Sequence, residues 1–467
     1  MWPYETTSDS KRLVASLGGL IFGFDTAVIS GTTEHLKAYF QLDDARLGWA
    51  VGMALLGTIV GALTAGKPAD RFGRKPVLFV IGILYVVGAL GSALSHDILV
   101  LEIFRFLGGL GVGAASVCAP IYTAEIAPPR VRGRLVGLVQ FNIVLGILLA
   151  YLSNTIVRMI VTDPTLDWRW MFGVMAVPAA IFLLLLFTVP ETPRWMMAHG
   201  QEEKGRAVVA KLTNTPEEAQ QQIDEIDASL AAAAKLAAEG KDVPFFTKGH
   251  MKVILLAFAI AMFNQMSGIN AILYYAPVVM ERAGASTDAA FMMSVAVGFM
   301  NLVATMTALT VIDKLGRRQL MIIGSIGYLI SLGFLSGLMF YYENVVGHFN
   351  STSSVLVLVG LLVFIAAHAF GQGSVIWVFI SEIFPNRIRG RGQSLGSMTH
   401  WSFAWLTSTF FPPIVGTLGG GVAFGIFFVF MIGQLIWVLR VMPETKGVPL
   451  EEMEAKLGLT DASVVKR

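Results

Sequence analysis

Twelve apolar stretches, each about as long as a bilayer is thick, constrain this chain more than any other feature. A helix needs roughly 20 mostly apolar residues to cross the hydrocarbon core of a membrane. Only 14% of the residues are charged, whereas soluble domains have roughly 25%, so lipid must be the solvent for much of the chain. Spans 1 to 12, numbered in chain order, are predicted at 12–31, 47–66, 77–95, 98–121, 135–157, 170–189, 251–276, 289–312, 320–341, 355–380, 394–417 and 422–441.

Lysine and arginine residues concentrate in the loops that follow the even-numbered spans, whereas the opposite loops hold few of them. Basic loops of membrane proteins stay on the cytoplasmic side. Both termini and the long segment 196–250 are therefore predicted to be cytoplasmic. We expect a multi-pass plasma membrane protein, located in the inner membrane if the source is a Gram-negative bacterium.

Three motifs recur in the second half of the chain in the same order. Asp70-Arg-Phe-Gly-Arg-Lys75 returns as Asp313-Lys-Leu-Gly-Arg-Arg318, Ala124-Glu-Ile-Ala-Pro-Pro-Arg-Val-Arg-Gly-Arg134 as Ser381-Glu-Ile-Phe-Pro-Asn-Arg-Ile-Arg-Gly-Arg391, and Pro190-Glu-Thr-Pro193 as Pro443-Glu-Thr-Lys446. Major-facilitator transporters are built from such parallel repeats. We predict an all-α membrane protein with twelve transmembrane helices in two six-helix pseudo-symmetric halves, residues 1–195 and 251–445, followed by a cytoplasmic tail at 446–467.

The segment 196–250 interrupts this repeat. It is charged and rich in alanine, with a helical period but no stretch of span length. We expect a few amphipathic helices on the cytoplasmic face, and a flexible linker is the alternative.

The repeated motifs resemble those of the sugar porter branch of the major facilitator superfamily, which includes sugar–proton symporters such as the xylose type and facilitative glucose transporters. Further markers are Gly18-Gly-Leu-Ile-Phe-Gly-Phe-Asp25, Pro190-Glu-Thr-Pro-Arg-Trp195, Gln265-Met-Ser-Gly-Ile-Asn270 and Pro443-Glu-Thr-Lys-Gly447. The resemblance extends from Gly18 to about Glu454. It implies alternating access, in which the two halves rock around a central sugar site.

Two ionisable residues lie inside predicted spans, Asp25 in span 1 and Arg105 in span 4. Such residues are costly in a membrane and are functional candidates by default. If spans 1 and 4 are neighbours, as the resemblance implies, the two side chains form an ion pair. Proton-coupled relatives carry an acid at the position of Asp25, and many facilitative ones carry an uncharged residue. This implies proton symport, with a static ion pair and an uncoupled uniporter as the alternatives.

Amide and aromatic side chains inside the spans are candidates for holding a sugar, which needs hydrogen bonds for its hydroxyls and flat faces for its C–H surfaces. Gln265, Asn270 and Tyr274 share a broad face if span 7 is irregular around Gly268. Hydrogen bonding between helices is the alternative role of each amide. The predicted substrate-binding set is Phe22, Gln140, Asn264, Gln265, Asn270, Tyr274, Asn301, Trp377, His400 and Trp401.

Four positions depart from the pattern of the family. Asn264 stands where many members have a glutamine, Ile147 replaces a second span 5 glutamine, His400 replaces an amide, and Ala404 replaces an asparagine of the glucose carriers. These differences leave open which hexose or pentose is carried. His400 is either a neutral hydrogen-bond donor or a second proton site.

Acidic and basic residues are paired at the cytoplasmic ends of the helices in both halves. Such groups form a latch if they pair in one state and separate in the other; fixing the topology is the alternative role. The predicted cytoplasmic gate is Asp70, Arg74, Glu125, Arg132, Glu191, Asp313, Arg317, Glu382, Arg389 and Glu444.

Several function classes are disfavoured by composition. The net charge of +2 gives no electrostatic footprint for nucleic acid, and the single Cys118 excludes an internal disulfide and a cysteine metal cluster. We find no catalytic motif and expect no enzyme, metal or cofactor. The expected partners are a monosaccharide, protons and the lipid bilayer, and the expected state is a monomer. A sugar sensor and a channel are the functions that compete with a carrier.

Overall fold

The computed structural model describes residues 7–127, 132–163, 165–213, 215–238, 244–385, 387–448, 450–457 and 459. Every regular element within these ranges is a helix, as expected from the all-α prediction. The side chains of Arg132 and Asp313, two predicted gate residues, lie outside the described part of the structure.

Ten helical segments of the described residues are long and apolar enough to cross a membrane, and they coincide with predicted spans 2 to 10 and span 12. They are Asp44–Thr64, Arg74–Leu94, Ile98–Ile126, Gly137–Ile160, Asp167–Thr188, Met251–Arg282, Thr287–Ile312, Arg317–Val346, Ser351–Ile383 and Gly420–Arg440.

Spans 1 and 11 are also helices, at Thr7–Val28 and Arg389–Leu418. In span 1 the described residues include the apolar stretch Ser16–Gly31. In span 11, Gln393, Ser397, Thr399 and His400 dilute the apolar character. Span 11 is therefore less apolar than the other described spans, and a count of twelve spans remains a prediction.

Two spans are interrupted in the middle of the membrane-length segment. Span 7 consists of the helices Met251–Met266 and Ile269–Arg282, and span 10 consists of Ser351–His368, a π-helical turn at Ala369–Gly373 and Ser374–Ile383. Broken helices expose backbone groups and are tolerated in membrane proteins where they line a cavity or are covered by protein. The interruptions therefore identify spans 7 and 10 as candidates for binding.

Three helices account for much of the described part of the segment between the halves. Pro193–Ala198, Glu202–Leu212 and Pro216–Ala238 are three helices, and they share an apolar cluster of Met197, Val209, Ile223 and Ile226. These side chains pack on one another as a small core, as the apolar faces of amphipathic helices do; the cytoplasmic position of the segment stays a prediction.

The chain divides into two compact units. The first comprises Met1–Thr26, Gly57–Ala150 and Arg169–Asp242, and the second comprises Ala27–Leu56, Tyr151–Trp168 and Val243–Arg467. The core of the first is built around residues such as Tyr85, Tyr122 and Phe182, and that of the second around residues such as Phe379 and Phe384. The ends of spans 1, 2 and 5 thus join the second unit, while the predicted boundaries of the two sequence halves remain a prediction.

Candidate functional site

In the first unit, Asp25 and Arg105 form a buried ion pair. Arg105 Nη1 lies 2.9 Å from Asp25 Oδ1, and each side chain is only 4% exposed. The guanidinium also stands over the Phe172 ring, 5.3 Å from its centroid. Breaking a buried ion pair by removing one partner costs about 3–5 kcal/mol, because the remaining charge has no compensation. The pair predicted from spans 1 and 4 is therefore present and strongly held.

Glycines allow the helices around this pair to approach closely. A Cβ atom on Gly23 would collide with the carbonyl of Ile143 in span 5, and one on Gly88 of span 3 would lie 2.8 Å from the Cα of Gly108 in span 4. The small residues thus leave little room for water beside Asp25.

Two further polar residues of this region were missed in the sequence analysis. Glu102, one helical turn before Arg105, is 5% exposed, and Tyr85 of span 3 is fully buried. The Tyr85 hydroxyl has no hydrogen-bond partner among the described residues. An acid inside the apolar span 4 was a usable signal for Glu102; Tyr85 carried none, because a tyrosine in a span is commonly a packing residue.

In the second unit, span 7 breaks at Gly268. This residue has a φ of 85°, a left-handed conformation that glycine adopts without strain, and a Cβ there would collide with the Phe427 ring. Asn264 and Gln265 lie just before the break and Asn270 just after it, all three buried. The predicted irregularity around Gly268 is therefore present.

The two amide side chains before the break begin a continuous chain of hydrogen bonds that runs through spans 10 and 12 to a serine of span 9. Gln265 Nε2 donates to Asn264 Oδ1 at 3.0 Å, and Asn264 Nδ2 donates to Gln372 Oε1 of span 10 at 3.4 Å. Gln372 Nε2 donates to Gln434 Oε1 of span 12 at 2.7 Å, and Gln434 Nε2 donates to Ser325 Oγ of span 9 at 2.8 Å. We call these five residues the amide chain.

Aromatic rings lie at the end of the amide chain that includes Gln265. Gln265 Nε2 is 3.1 Å from His400 Nε2. The His400 ring contacts Trp377, with centroids 5.1 Å apart, and Trp401, with centroids 4.8 Å apart. Trp377 is 41% exposed, so one face of the cluster is open. The structure thus brings together five predicted sugar-binding residues: Asn264, Gln265, Trp377, His400 and Trp401.

The remaining predicted sugar-binding residues are placed as follows. Tyr274 and Asn301 are buried in the second unit, at 5% and 7% exposure. Phe22 and Gln140 are half-buried and belong to the first unit; their proximity to the other residues remains a prediction.

Gln372, Gln434 and Ser325 were missed because they do not belong to the motifs that carry the family resemblance. Their signal in the sequence was weak but present, since each is a polar residue in an apolar span. All three are completely buried, and buried polar groups are expected to be hydrogen-bonded.

Four predicted gate residues of the first unit whose side chains are described form one cluster. Arg74 lies 3.1 Å from both Asp70 and Glu125. Glu191 Oε1 and Oε2 accept hydrogen bonds from the backbone amides of Arg74 and Lys75, at 3.1 and 3.0 Å. Glu191 therefore caps the helix of span 3. Burial raises the pKa of the Glu191 carboxyl, while the backbone amides and Arg74 oppose this shift.

The second unit repeats this arrangement. Arg317 Nη2 donates to Glu382 Oε1 at 2.8 Å, and Glu444 accepts from the backbone amides of Arg317 and Arg318, both at 3.0 Å. Arg389 instead donates to the carbonyl of Phe384 at 3.4 Å. Glu125 and Glu382 thus pair with the arginine after the repeated glycine, Arg74 and Arg317.

The repeated glycines explain these caps. Gly73 and Gly316 have φ values of 104° and 92°. A Cβ on either one would collide with the capping carboxylate, Glu191 or Glu444. Anions stabilise helix N-termini because the unpaired amides and the helix dipole are positive there. Two of the three repeated motifs are therefore explained together. One supplies the glycine at the start of the helix, and the other supplies the carboxylate that caps it.

The second unit also contains the opposite ends of spans 1 and 5, which bond to the second sequence half. Tyr151 Oη donates to the carbonyl of Leu273 at 2.6 Å, and Thr155 Oγ1 to that of Phe291 at 3.4 Å. Nearby, the buried Asp167 lies 3.1 Å from His35 and 3.3 Å from Arg158. Together with the hydrogen bond from Asn154 Nδ2 to the carbonyl of Val28, at 3.1 Å, these contacts hold spans 1, 5, 7 and 8 together at the predicted outer side.

Comparison with known proteins gives consistent matches along the chain. The D-xylose-proton symporter of Escherichia coli (strain K12) is 36% identical over 96% of this chain and 95% of that protein. The glucose transport protein of Synechocystis is 35% identical over 97% of this chain and 99% of that protein. A solved structure of the xylose transporter from Escherichia coli, in a partially occluded inward-open conformation, superimposes with a TM-score of 0.82 at 34% identity, covering 95% of this chain and 100% of that one.

The family model described as "Sugar (and other) transporter" matches residues 11–457. The fold, the repeated capping motifs and the polar sites inside the spans agree with this match, and the chain belongs to the sugar transporter family of the major facilitator superfamily.

Proposed function

We propose that this protein is a secondary active transporter that carries a monosaccharide, a hexose or a pentose, together with a proton. The observation that carries the proton coupling is the buried Asp25–Arg105 ion pair. The names of similar proteins, a D-xylose-proton symporter and a glucose transport protein, support a monosaccharide. An uncoupled uniporter is the alternative.

Asp25 is suited to carry the proton because two opposing effects act on its carboxyl. A dry environment favours the neutral acid, and the adjacent arginine favours the ionised form. Protonation of Asp25 releases Arg105 from the ion pair. If sugar binds better to the protonated form, proton and sugar binding are linked, and the linkage is reciprocal.

The sugar site of this proposal is the cluster of Gln265, His400, Trp377 and Trp401, together with Asn270. Its amides offer hydrogen bonds to hydroxyls, and the exposed face of Trp377 offers an apolar surface to sugar C–H groups. Phe22 and Gln140 complete the site if the two sequence halves meet around it, as in other transporters of parallel repeats.

Alternating access requires one closed side at a time. The bonds of Tyr151 and Thr155 to carbonyls of spans 7 and 8 support a closed outer side in this structure. The charged clusters around Arg74 and Arg317 are paired within their own units in this structure, and we propose that they also brace the cytoplasmic side when it is closed. We infer a carrier that works as a monomer, because each chain contains both sequence halves. Saturating flux with counterflow would distinguish it from a channel, a sensor or a membrane enzyme.

The proposal is tested by adding sugars to weakly buffered cells or vesicles that contain the protein. We expect at least one monosaccharide to cause alkalinisation of the medium as protons enter with the sugar. The control is the same suspension with a protonophore, which abolishes the pH change. Sugar entry without alkalinisation would indicate the uniporter.

The orientation of the termini is proposed from the distribution of basic residues. Cysteines introduced at Glu217 and Thr352, both exposed, test it against a background in which the native Cys118 is buried. An impermeant reagent outside intact cells is expected to label only the cysteine at 352. Labelling of the cysteine at 217 would show that the proposed orientation is wrong.

The gate is tested with Arg317→Ala, which removes the bidentate partner of Glu382. If the cluster closes the cytoplasmic side, transport slows and a cysteine in the cytoplasmic cavity becomes labelled faster. An unchanged labelling rate would leave Arg317 with only a structural role in its unit.

A further inference from the structure

The amide chain has a fixed direction because one end is anchored. The Ser325 hydroxyl donates its only hydrogen to the carbonyl of Met321, at 2.7 Å. Toward Gln434 the Ser325 oxygen can therefore act only as an acceptor. Gln434 must present its amino group to Ser325 and its carbonyl oxygen to Gln372.

The requirement that a donor face an acceptor then fixes the orientation of each amide group in turn. Gln372 faces a carbonyl oxygen of Gln434, so it must turn its amino group there and its own oxygen toward Asn264. Asn264 must present its amino group to Gln372 and its oxygen to Gln265. Any single reversed amide would place two oxygens or two amino groups face to face, at the cost of buried unsatisfied groups.

The end of the chain at Gln265 is therefore defined. One hydrogen of its amino group goes to Asn264 and the other to His400, 3.1 Å from Nε2. His400 accepts this hydrogen at a ring nitrogen: Nε2 is the nearer one, and Nδ1 lies 3.4 Å from the same amino group. Gln265 Oε1 is buried and has no hydrogen-bond partner among the described residues.

We propose that Ser325, Gln434 and Gln372 are positioning residues that make Gln265 a pure hydrogen-bond acceptor toward the sugar. The site then selects a sugar hydroxyl that donates a hydrogen to Gln265 Oε1. Because none of the three positioning residues needs to touch the sugar, they set specificity from outside the site. This inference rests on the proposed transport of a monosaccharide.

The test uses deoxy and deoxyfluoro analogues of the transported sugar, one ring position at a time, with calorimetric measurement of Kd on the purified protein. Fluorine accepts a hydrogen bond but cannot donate one. At the position facing Gln265, we expect the fluoro and the deoxy analogue both to bind at least about tenfold more weakly than the parent sugar, since an acceptor facing an acceptor leaves a buried group unsatisfied.

The variants Ser325→Ala and Gln372→Met each remove a hydrogen-bonding group that fixes the donor–acceptor order of the amide chain. The Gln265 amide can then rotate and offer its amino group to the sugar. We call the ratio of the Kd of the fluoro analogue to the Kd of the parent sugar the fluoro penalty. We expect this ratio to fall about threefold or more in each variant. Ser331→Ala is the matched control, because Ser331 lies on the same helix, is equally buried and bonds only to the carbonyl of Tyr328 in the described structure; its fluoro penalty is expected to equal that of the wild type.

Each outcome decides a separate point. If the wild type binds the parent sugar but no position shows the joint fluoro and deoxy loss, Gln265 is not a fixed acceptor and the inference is wrong. If the loss is present but unchanged in both Ser325→Ala and Gln372→Met, the positioning role is wrong, while sugar transport stands. If the wild type binds no monosaccharide, the proposed function fails as well. The small Ser325→Ala change keeps the test available if Gln372→Met does not fold.

Discussion

Asp25→Asn is expected to abolish uphill accumulation of sugar while preserving sugar binding and counterflow exchange. Asparagine resembles the protonated acid in shape and charge, and its amide oxygen can still accept from Arg105. The variant cannot release or take up the proton. Each proton driven inward at 100 mV contributes about 2.3 kcal/mol, which corresponds to a sugar gradient of roughly fifty-fold, and this gradient should fall to about unity.

The measurement compares steady-state accumulation of radiolabelled sugar with exchange in vesicles that have no pH gradient. Asp163→Asn is the matched control, because Asp163 is an exposed acid that bonds only within its own loop in the described structure; it should accumulate sugar normally. Persisting accumulation in Asp25→Asn would show that the proton is carried elsewhere, and Asp25 would be only a structural partner of Arg105.

Gln265→Ala and Asn270→Ala are expected to weaken sugar binding about tenfold or more, with normal expression. Each substitution leaves sugar hydroxyls without a partner in a buried site, at about 1–3 kcal/mol per unsatisfied group. The assay is the Kd of the purified variants. Gln220→Ala, on a helix between the two sequence halves where Gln220 bonds to Asp224, should bind like the wild type. Unchanged sugar affinity in both span 7 variants would show that span 7 is not part of the sugar site.

Much of the fold was predictable because membrane crossing imposes a length and a composition on each span. Ten spans follow this rule, whereas span 11 does not, since its serine, threonine and histidine residues lower its apolar character. The break at Gly268 was also predictable, because glycine lay between polar residues that needed a common face.

The partners of the charged and amide residues were less predictable. Asp25 and Arg105 could be matched because they were conspicuous charges in apolar helices and the resemblance made their spans neighbours. Glu125 and Arg74, by contrast, lie at helix ends where many charged residues offer alternative partners, and the link of Gln372 to Gln434 depends on how spans 10 and 12 pack. The sequence around each residue does not show which residues of other helices lie within hydrogen-bonding distance of it.

The contacts at the outer side have a consequence for how such a carrier changes during evolution. Tyr151, Asn154 and Thr155 bond to backbone carbonyls, those of Leu273, Val28 and Phe291. A carbonyl is supplied by any residue, so these three bonds do not depend on which side chains occupy the accepting positions. Substrate preference is therefore free to drift through single substitutions on spans 7 and 8, while the gating motion is inherited unchanged.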